Sequence, residues 1–219
     1  MRLLLIHTAG GEGSVALAEG REIVATEVLP GRSSSERLVP AVRRLMELQG
    51  WNLRELKALV VVHGPGSFTG VRVGLSAAKG LSEAGGIPLI AVSRLALLAA
   101  SSGDGDETVH AVLDAGRGEF YYGEYVGHRC VRESLLSQEE VSAAVAGGGL
   151  IVVCEAKVAE MLEELHPRVV AEPLAGDVLS LALERIAADE YDDVSLLDAN
   201  YLRRTDAEIF AKPKAKSAV

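Results

Sequence analysis

The sequence predicts an α/β protein of two halves, each beginning with strands and continuing with alternating helices and strands. Three short β-prone runs come before any helical pattern, and a polar stretch at 101–107 precedes a second set of strands. An opening of three strands argues against a doubly wound nucleotide-binding sheet, which starts strand–helix–strand. We therefore expect two lobes of mixed sheets flanked by helices, over residues 1–103 and 104–219.

The composition describes a chain with an aliphatic core and an acidic surface. Of 219 residues, 48% are apolar but only 4% are aromatic, and 31 acidic against 22 basic side chains give a net charge of −9. Proteins that bind nucleic acid unaided usually carry a basic face, which this balance disfavours. No apolar run reaches the length of a signal peptide or a membrane-spanning helix. With two cysteines predicted to be free thiols, we expect a cytoplasmic protein without a membrane partner.

In the first half, alternating and apolar runs predict five strands and two helices. We expect strands at 3–6, 14–18, 22–29, 58–63 and 88–92, with a hairpin turn at Glu19–Gly20. The hydroxyls of Ser33–Ser35 predict the cap of a helix that runs to about Gln49. Because proline has no amide hydrogen, Pro40 is expected at the first position of the helix proper. A second helix is expected over 69–84.

The second half repeats this order of elements without a visible sequence repeat. Strands are expected at 109–114, 119–126, 129–134 and 150–154. Ser137 and Glu140 form a capping box that opens a helix, and Asp177 is expected to cap a later one. The tail from about residue 212 is expected to be disordered.

A glycine-rich turn links the fourth predicted strand to the second helix. It runs from Gly64 to Gly70 and matches neither the dinucleotide fingerprint nor the Walker loop. Its amides and the positive end of the helix dipole could hold an anion, with Gly64, Gly66, Ser67 and Thr69 as the candidate residues. The alternative interpretation is a tight turn in which Ser67 or Thr69 caps the helix. Both interpretations stay open at this point.

The two predicted helices of the first half carry more apolar surface than one sheet would cover. At 100° per residue the apolar arc of the second helix spans roughly 220°, where about 100° seats a helix on one surface. Gly74 and Gly80 each cost about 1 kcal/mol relative to alanine, which indicates a close approach by a neighbouring element. That neighbour belongs either to this chain or to another subunit. The second interpretation assigns the following residues to partner binding: Leu38, Val42, Leu45, Met46, Gly70, Val73, Gly74, Ala77 and Leu81.

Catalytic and metal chemistry find little support in the residue pattern. The five histidines are scattered, and no pair has the i, i+4 spacing of a helical metal site. Ser67 has no identifiable base that would make it a nucleophile. We expect no metal, no cofactor and no catalytic residue.

The run from Gly64 to Leu81 resembles the signature of the TsaB (YeaZ) family. Further matches lie in the opening hairpin, the first helix, the middle of the second half and the end of the chain, at Ser14–Leu17, Ser35–Pro40, Asp114–Ala115, Gly118–Tyr121 and Tyr201–Arg203. The resemblance implies an actin-like, sugar-kinase-like (ribonuclease H-like) fold of two related lobes.

The same resemblance implies a role and a set of partners. It implies a non-catalytic subunit of the machinery for threonylcarbamoyladenosine in tRNA. Its partner would be the related catalytic subunit TsaD, bound through the first two helices as a four-helix bundle. A TsaE-like ATPase would join the pair, tRNA would be contacted only through the complex, and the chain alone would form a homodimer.

One departure from the family pattern concerns the end of the first strand. The family usually has an Asp–Thr pair there, where this chain has His7 and Thr8. An imidazole does not replace a hard oxygen ligand for magnesium, which weakens a metal–nucleotide role. Two alternatives nevertheless stay open: a small ATPase or kinase of the same fold, and a glycoprotease-like peptidase.

Overall fold

The computed structural model describes residues 1–31, 33–103, 105 and 107–202. The strands are β1 Arg2–His7, β2 Gly13–Glu19, β3 Glu22–Leu29, β4 Leu56–Val62, β5 Leu89–Val92, β6 Thr108–Gly116, β7 Glu119–Val126, β8 Arg129–Ser137, β9 Leu150–Val153 and β10 Arg168–Val169. The helices are α1 Ser34–Gln49, α2 Phe68–Gly85, α3 Arg94–Ala100, α4 Gln138–Val145, α5 Ala156–Met161 and α6 Leu179–Ala187. Short 3-10 turns occupy Leu53–Glu55, Glu163–Leu165 and Ala175–Val178.

Two five-stranded sheets share one plan. Their strand orders are β3-β2-β1-β4-β5 and β10-β9-β6-β7-β8. In each sheet three antiparallel strands come first in the chain, and two further strands then extend the sheet in parallel from the first of the three. The expected architecture of two related lobes with mixed sheets flanked by helices is confirmed.

The first sheet is covered on both faces, which explains why its central strands are continuous apolar runs. Leu3–Ile6 and Ala58–Val62 are fully buried. Helices α1 and α2 pack on one face, and the segment 175–187 packs on the other.

Each sheet is partly covered by a helical segment from the other half of the chain. The segment 175–187, which the sequence places with the second half, packs on the first sheet. In return α3, which no sequence pattern predicted, packs on β6 and β7 through Leu95 and Leu98. Helices α4 and α5 cover the opposite face of the second sheet. The two lobes are therefore tied together by crossing segments.

Two helix starts differ from the expectations. Pro40 lies inside α1 and not at its start; both Pro40 and Glu36, whose carbonyl loses its amide partner, lie on the exposed side, where water replaces the bond. Ser33 occupies the cap position, but its hydroxyl donates to the Pro30 carbonyl at 2.6 Å and caps nothing. Asp177 accepts from the Leu174 amide at 2.7 Å within a 3-10 turn, so it does not cap α6.

The remaining boundaries agree closely with the sequence. β3 and β7 match their expected spans, and Ser137 with Glu140 forms the capping box of α4. The tail from residue 212 lies outside the described residues. Within the described ranges, none of the helices combines the length and the apolar character needed to cross a bilayer.

Helix α2 lies directly against β1 because two of its residues have no side chain. A Cβ added at Gly70 would clash with the Thr8 carbonyl oxygen, and one at Gly74 would clash with Thr8 Oγ1. The Thr8 hydroxyl instead donates to the Gly70 carbonyl at 2.6 Å. Glycine at 70 and 74 is thus explained by packing within the chain, whereas an added Cβ at Gly80 meets no atom within 4 Å.

This contrast predicts opposite effects for two glycine substitutions in one helix. Gly70→Ala forces the helix and strand backbones apart, and we expect it to lower the free energy of unfolding by about 1–3 kcal/mol. Gly80→Ala, the matched control, is expected to raise it by about 1 kcal/mol, because it removes only backbone entropy. Urea unfolding measures both. Equal effects of the two substitutions would show that the helix does not touch β1.

Candidate functional site

The residues assigned to partner binding on α1 lie under the helix and not on its outer side. Leu38, Val42, Leu45 and Met46 are at most 7% exposed and belong to the core over the first sheet. Packing within the chain therefore accounts for their apolar character. Helical periodicity shows how wide the apolar surface of a helix is, but it does not show which part of that surface the sheet covers.

On α2 the assigned residues divide into two groups. Gly70 and Gly74 are buried against β1. Val73, Ala77 and Leu81 pack at the edge of the core but remain partly exposed. These three residues, spaced i, i+4 and i+8, form an apolar row along the helix.

The rest of the chain covers this row only in part. The opposite flank is covered by the C-terminal segment, because Lys79 donates to the Leu197 carbonyl at 2.8 Å and Arg72 lies over the Tyr201 ring. On α1, Val39 adds an apolar side chain that is 55% exposed. We call Val39, Val73, Ala77 and Leu81 the helix-pair surface.

The glycine-rich turn joins both lobes and fixes the start of α2. Its Gly64–Pro65 bond is cis, and Gly64 has a φ of 108°. The Gly64 carbonyl accepts from the Arg94 amide at 2.6 Å, and the Ser67 amide donates to the Ala9 carbonyl at 2.9 Å. Ser67 Oγ accepts from the Gly70 amide at 3.2 Å and is the helix cap. Of the two capping candidates, Ser67 is therefore the one the helix uses.

The candidate anion residues open onto two separate cavities. Gly66 and Ser67 line a cleft between the lobes, together with Arg94, Asp114 and Lys157. Ser67 and Thr69 line a second cavity between the N-termini of α1 and α2. Gly64 lines neither of them and faces Val71. The turn therefore separates two cavities instead of forming one binding loop.

A buried arginine anchors the cleft between the lobes. Arg94 is 4% exposed, and its Nη2 lies 2.9 Å from Glu172 Oε1 and 3.3 Å from Glu155 Oε1. Glu172 also accepts from the Gly11 amide at 2.8 Å, and Glu155 accepts from the Asp114 amide at 2.7 Å. These contacts join the β1–β2 loop to the second sheet. A buried guanidinium needs such partners, because an unpaired buried charge is strongly destabilising.

No pattern in the sequence predicts this network. Arg94 is separated from its two acids by 61 and 78 residues, so no local spacing reveals the pairing. The available signal was a single arginine opening an otherwise apolar helix, Arg94–Ala100. At the rim of the cleft, Asp114 pairs with Lys157 at 2.7 Å.

His7 is a buried neutral group behind this network. Burial first, and then the charge of Arg94, lower the pKa of His7 from its ordinary 6.5 to about 3. Its Nδ1 accepts from the Ala9 amide at 3.2 Å, so the proton of the neutral ring lies on Nε2. At this position the chain offers no carboxylate to a metal. No group of three His, Cys, Asp or Glu side chains suited to a metal occurs among the described residues.

Comparison with known proteins assigns the family. A model described as TsaD, tRNA N6-adenosine threonylcarbamoyltransferase, matches residues 28–148, which is more than half of the chain. The YeaZ structure from Pseudomonas aeruginosa is 31% identical with a TM-score of 0.76, covering 92% of this chain and 100% of that one. The chain belongs to the TsaB (YeaZ) family. The resemblance seen in the glycine-rich run is thus confirmed.

Curated relatives agree with this assignment over part of their length. TsaB from Escherichia coli, a "tRNA threonylcarbamoyladenosine biosynthesis protein", is 39% identical over 127 residues, which are 57% of this chain and 55% of that protein. The match therefore spans about half the length of that relative. An activator of 2-hydroxyisocaproyl-CoA dehydratase from Clostridium difficile shares the fold, with a TM-score of 0.52 over 86% of this chain and 97% of that one at 10% identity.

The buried histidine predicts a stability that falls in acid. Below its ordinary pKa of 6.5 the unfolded chain protonates His7, whereas the folded chain does so only near 3. The free energy of unfolding is therefore highest at pH values well above 6.5. It falls as the pH falls, and the loss due to His7 is about 2 kcal/mol at about pH 5. In His7→Asn the side-chain oxygen still accepts the Ala9 amide but cannot be protonated. We expect its unfolding free energy to change by about 2 kcal/mol less between about pH 7 and pH 5.

Urea unfolding at the two pH values measures this difference. His166→Asn is the control, because His166 is exposed and has a φ of 50°, a conformation that asparagine tolerates. It should leave the pH dependence as in the parent chain. A His7→Asn protein with the parent's pH dependence would disprove the buried, neutral state of His7.

Proposed function

We propose that this chain is a non-catalytic scaffold and activator subunit of the tRNA threonylcarbamoyladenosine machinery. It docks onto a TsaD-like catalytic subunit through the outer sides of α1 and α2. Family membership supports the pathway, and the name of the Escherichia coli relative states it for that protein. The observation that carries the docking role is the helix-pair surface, an apolar row that the chain itself leaves partly open.

The shape of this surface suits another helix pair. Because Ala77 has only a methyl side chain and the exposed Gly80 has none, a second helix can approach the middle of α2 closely. Val39 on α1 and Leu81 on α2 supply further apolar area that is at least partly exposed. Charged side chains lie next to this apolar area on α1, where Arg43, one turn after Val39, forms a salt bridge with Glu47 and would contribute to a polar rim.

The choice of partner follows from the shared fold. The TsaD family model covers residues 28–148, which include both helices. A TsaD-like protein therefore has a corresponding helix pair, and two like pairs can meet around a pseudo-twofold axis. The same geometry gives a homodimer when the partner is absent. A TsaE-like ATPase would bind the assembled pair, and tRNA would be contacted only through the complex.

The proposed contribution to catalysis is a coupling free energy. Docking can activate the partner only if α1 and α2 contact its active arrangement better than its inactive one. No cofactor is required of this chain. Ser67, the nucleophile that a peptidase would need, uses its hydroxyl oxygen to accept from the Gly70 amide.

The principal alternative is a small ATPase or kinase that uses the cleft between the lobes. Against it, His7 is neutral and buried, and Arg94 is already paired with Glu155 and Glu172. We expect the isolated chain to show neither turnover of Mg-ATP nor tight binding of Mg-ATP in the cleft by calorimetry. Tight binding with turnover, abolished by a substitution at Asp114 or Lys157 on the cleft wall, would favour the enzyme.

A charge placed in the apolar row tests docking. Ala77→Arg puts a cation in the middle of the helix-pair surface, and we expect it to weaken binding to a TsaD-like partner more than tenfold (about 1.4 kcal/mol). Val131→Arg is the control, because Val131 is 46% exposed on β8 in the other lobe. Co-elution on size exclusion and calorimetric titration measure the binding, and circular dichroism verifies the fold. Full binding by Ala77→Arg would disprove this surface.

Gly74 is unsuitable for the same test. A leucine at this position would collide with Thr8 and Ile6 inside the chain. Loss of binding by such a variant would report unfolding and not a blocked surface.

A further inference from the structure

Two aromatic side chains are exposed at the first turn of α2 and beside it. Phe68 is 62% exposed and Tyr201 is 45% exposed, although aromatic residues make up only 4% of the chain. The Arg72 guanidinium carbon lies 3.2 Å from the centre of the Phe68 ring and 4.9 Å from the centre of the Tyr201 ring. One cation therefore contacts both rings. We call Phe68, Arg72 and Tyr201 the aromatic cluster.

Hydrogen bonds hold the aromatic cluster in place from two directions. Arg72 Nη1 donates to the Phe68 carbonyl at 3.1 Å, which fixes the guanidinium beside the ring. The side-chain amide of Asn200, the residue before Tyr201, donates to Glu133 Oε2 at 2.6 Å. Rings that are already ordered lose little conformational freedom when a ligand stacks on them. The cluster is therefore a preformed platform with exposed ring surface.

The charges of the chain are unevenly distributed, and its basic part follows Tyr201 closely in the sequence. Residues 203–219, which lie outside the described residues, contain two acidic side chains and five basic ones, the latter being Arg203, Arg204, Lys212, Lys214 and Lys216. Their net charge is +3, whereas residues 1–202 carry −12. A basic segment beside an acidic body is typical of chains that bind a polyanion through one local region. We call residues 203–219 the basic segment.

Exposed rings next to positive charge are the two features that together recognise single-stranded nucleic acid. Unpaired bases stack on aromatic side chains and on arginine, and the phosphates between them attract basic side chains. An apolar protein surface would use the rings but not the charge. A polyanion without bases would use the charge but not the rings. An unpaired nucleic acid strand is the partner that uses both.

We propose that the aromatic cluster and the basic segment bind single-stranded RNA. An unpaired base stacks on Phe68 or Tyr201, and the phosphates beside it contact the cations of the basic segment. The choice of RNA rests on the proposed function, in which this chain belongs to a machinery that acts on tRNA. Within the complex, the chain then contributes residues of its own to the contact with tRNA.

Fluorescence anisotropy with the full chain and a labelled single-stranded RNA tests the proposal. For an RNA of about 12 nucleotides at low salt we expect saturable binding, with a dissociation constant of about 10⁻⁶ to 10⁻⁴ M. An RNA duplex of the same length is expected to bind more weakly, because its bases are paired and cannot stack on the rings. Lack of saturation, or equal affinity for the duplex, would overturn the proposal.

Substitutions separate the contribution of stacking from that of charge. Phe68→Ala removes an exposed ring, and we expect it to weaken RNA binding about tenfold without changing the salt dependence. Replacing Lys212, Lys214 and Lys216 together by glutamine is expected to reduce the slope of log affinity against log salt by about 2. Leu196→Ala is the control, because Leu196 is 81% exposed but has no ring. It is expected to bind RNA within about twofold of the parent chain.

Docking of the same variants to a TsaD-like partner is measured separately, and circular dichroism verifies their fold. Because RNA binding is measured on the isolated chain, it can succeed even if docking fails, so the two proposals are tested independently. Full RNA binding by Phe68→Ala would overturn the inference, and a simultaneous loss of docking would assign the aromatic cluster to the protein partner. An unchanged salt slope in the lysine variant would also overturn it.

Discussion

The close contact between α2 and β1 is the constraint on which the first lobe depends. Gly70 and Gly74 let the helix backbone reach Thr8, and the Thr8 hydroxyl and the Ala9 carbonyl then fix the first turn of the helix. Because this turn is held over the β1–β2 loop, one cavity opens on each side of Ser67. The same contact leaves Val73 and Ala77 partly exposed at the edge of the core. Packing, cavities and helix-pair surface thus have one structural cause.

Much of the fold could be predicted because its signals are local. Strands such as β3 and β7 are read directly from β-prone runs bounded by glycine turns. The sequence predictions failed where the packing of a segment depends on residues that are distant in the chain. Helix α3 has only seven residues, and it forms because Leu95 and Leu98 pack on the second sheet. The segment 175–187 packs on the first sheet for the same kind of reason, which no local pattern contains.

The candidate site could be predicted only in part, for a related reason. The width of an apolar arc follows from helical periodicity, but the part left open depends on what lies beneath. Leu38 and Val42 are covered by the first sheet, whereas Val73 and Ala77 are not fully covered. The partners of Arg94 come from remote parts of the chain, so its role is visible only after folding.

The cleft and the helix-pair surface are connected through one loop. Gly10 and Gly11 line both cavities, and the Gly11 amide is held by Glu172, which Arg94 ties to the second lobe. A change in the separation of the lobes must stretch this connection or move the loop. Moving the loop alters the cavity at the N-termini of α1 and α2, since the loop forms one of its walls. The geometry of the helix pair is therefore set by contacts in both lobes, although its residues all lie in the first.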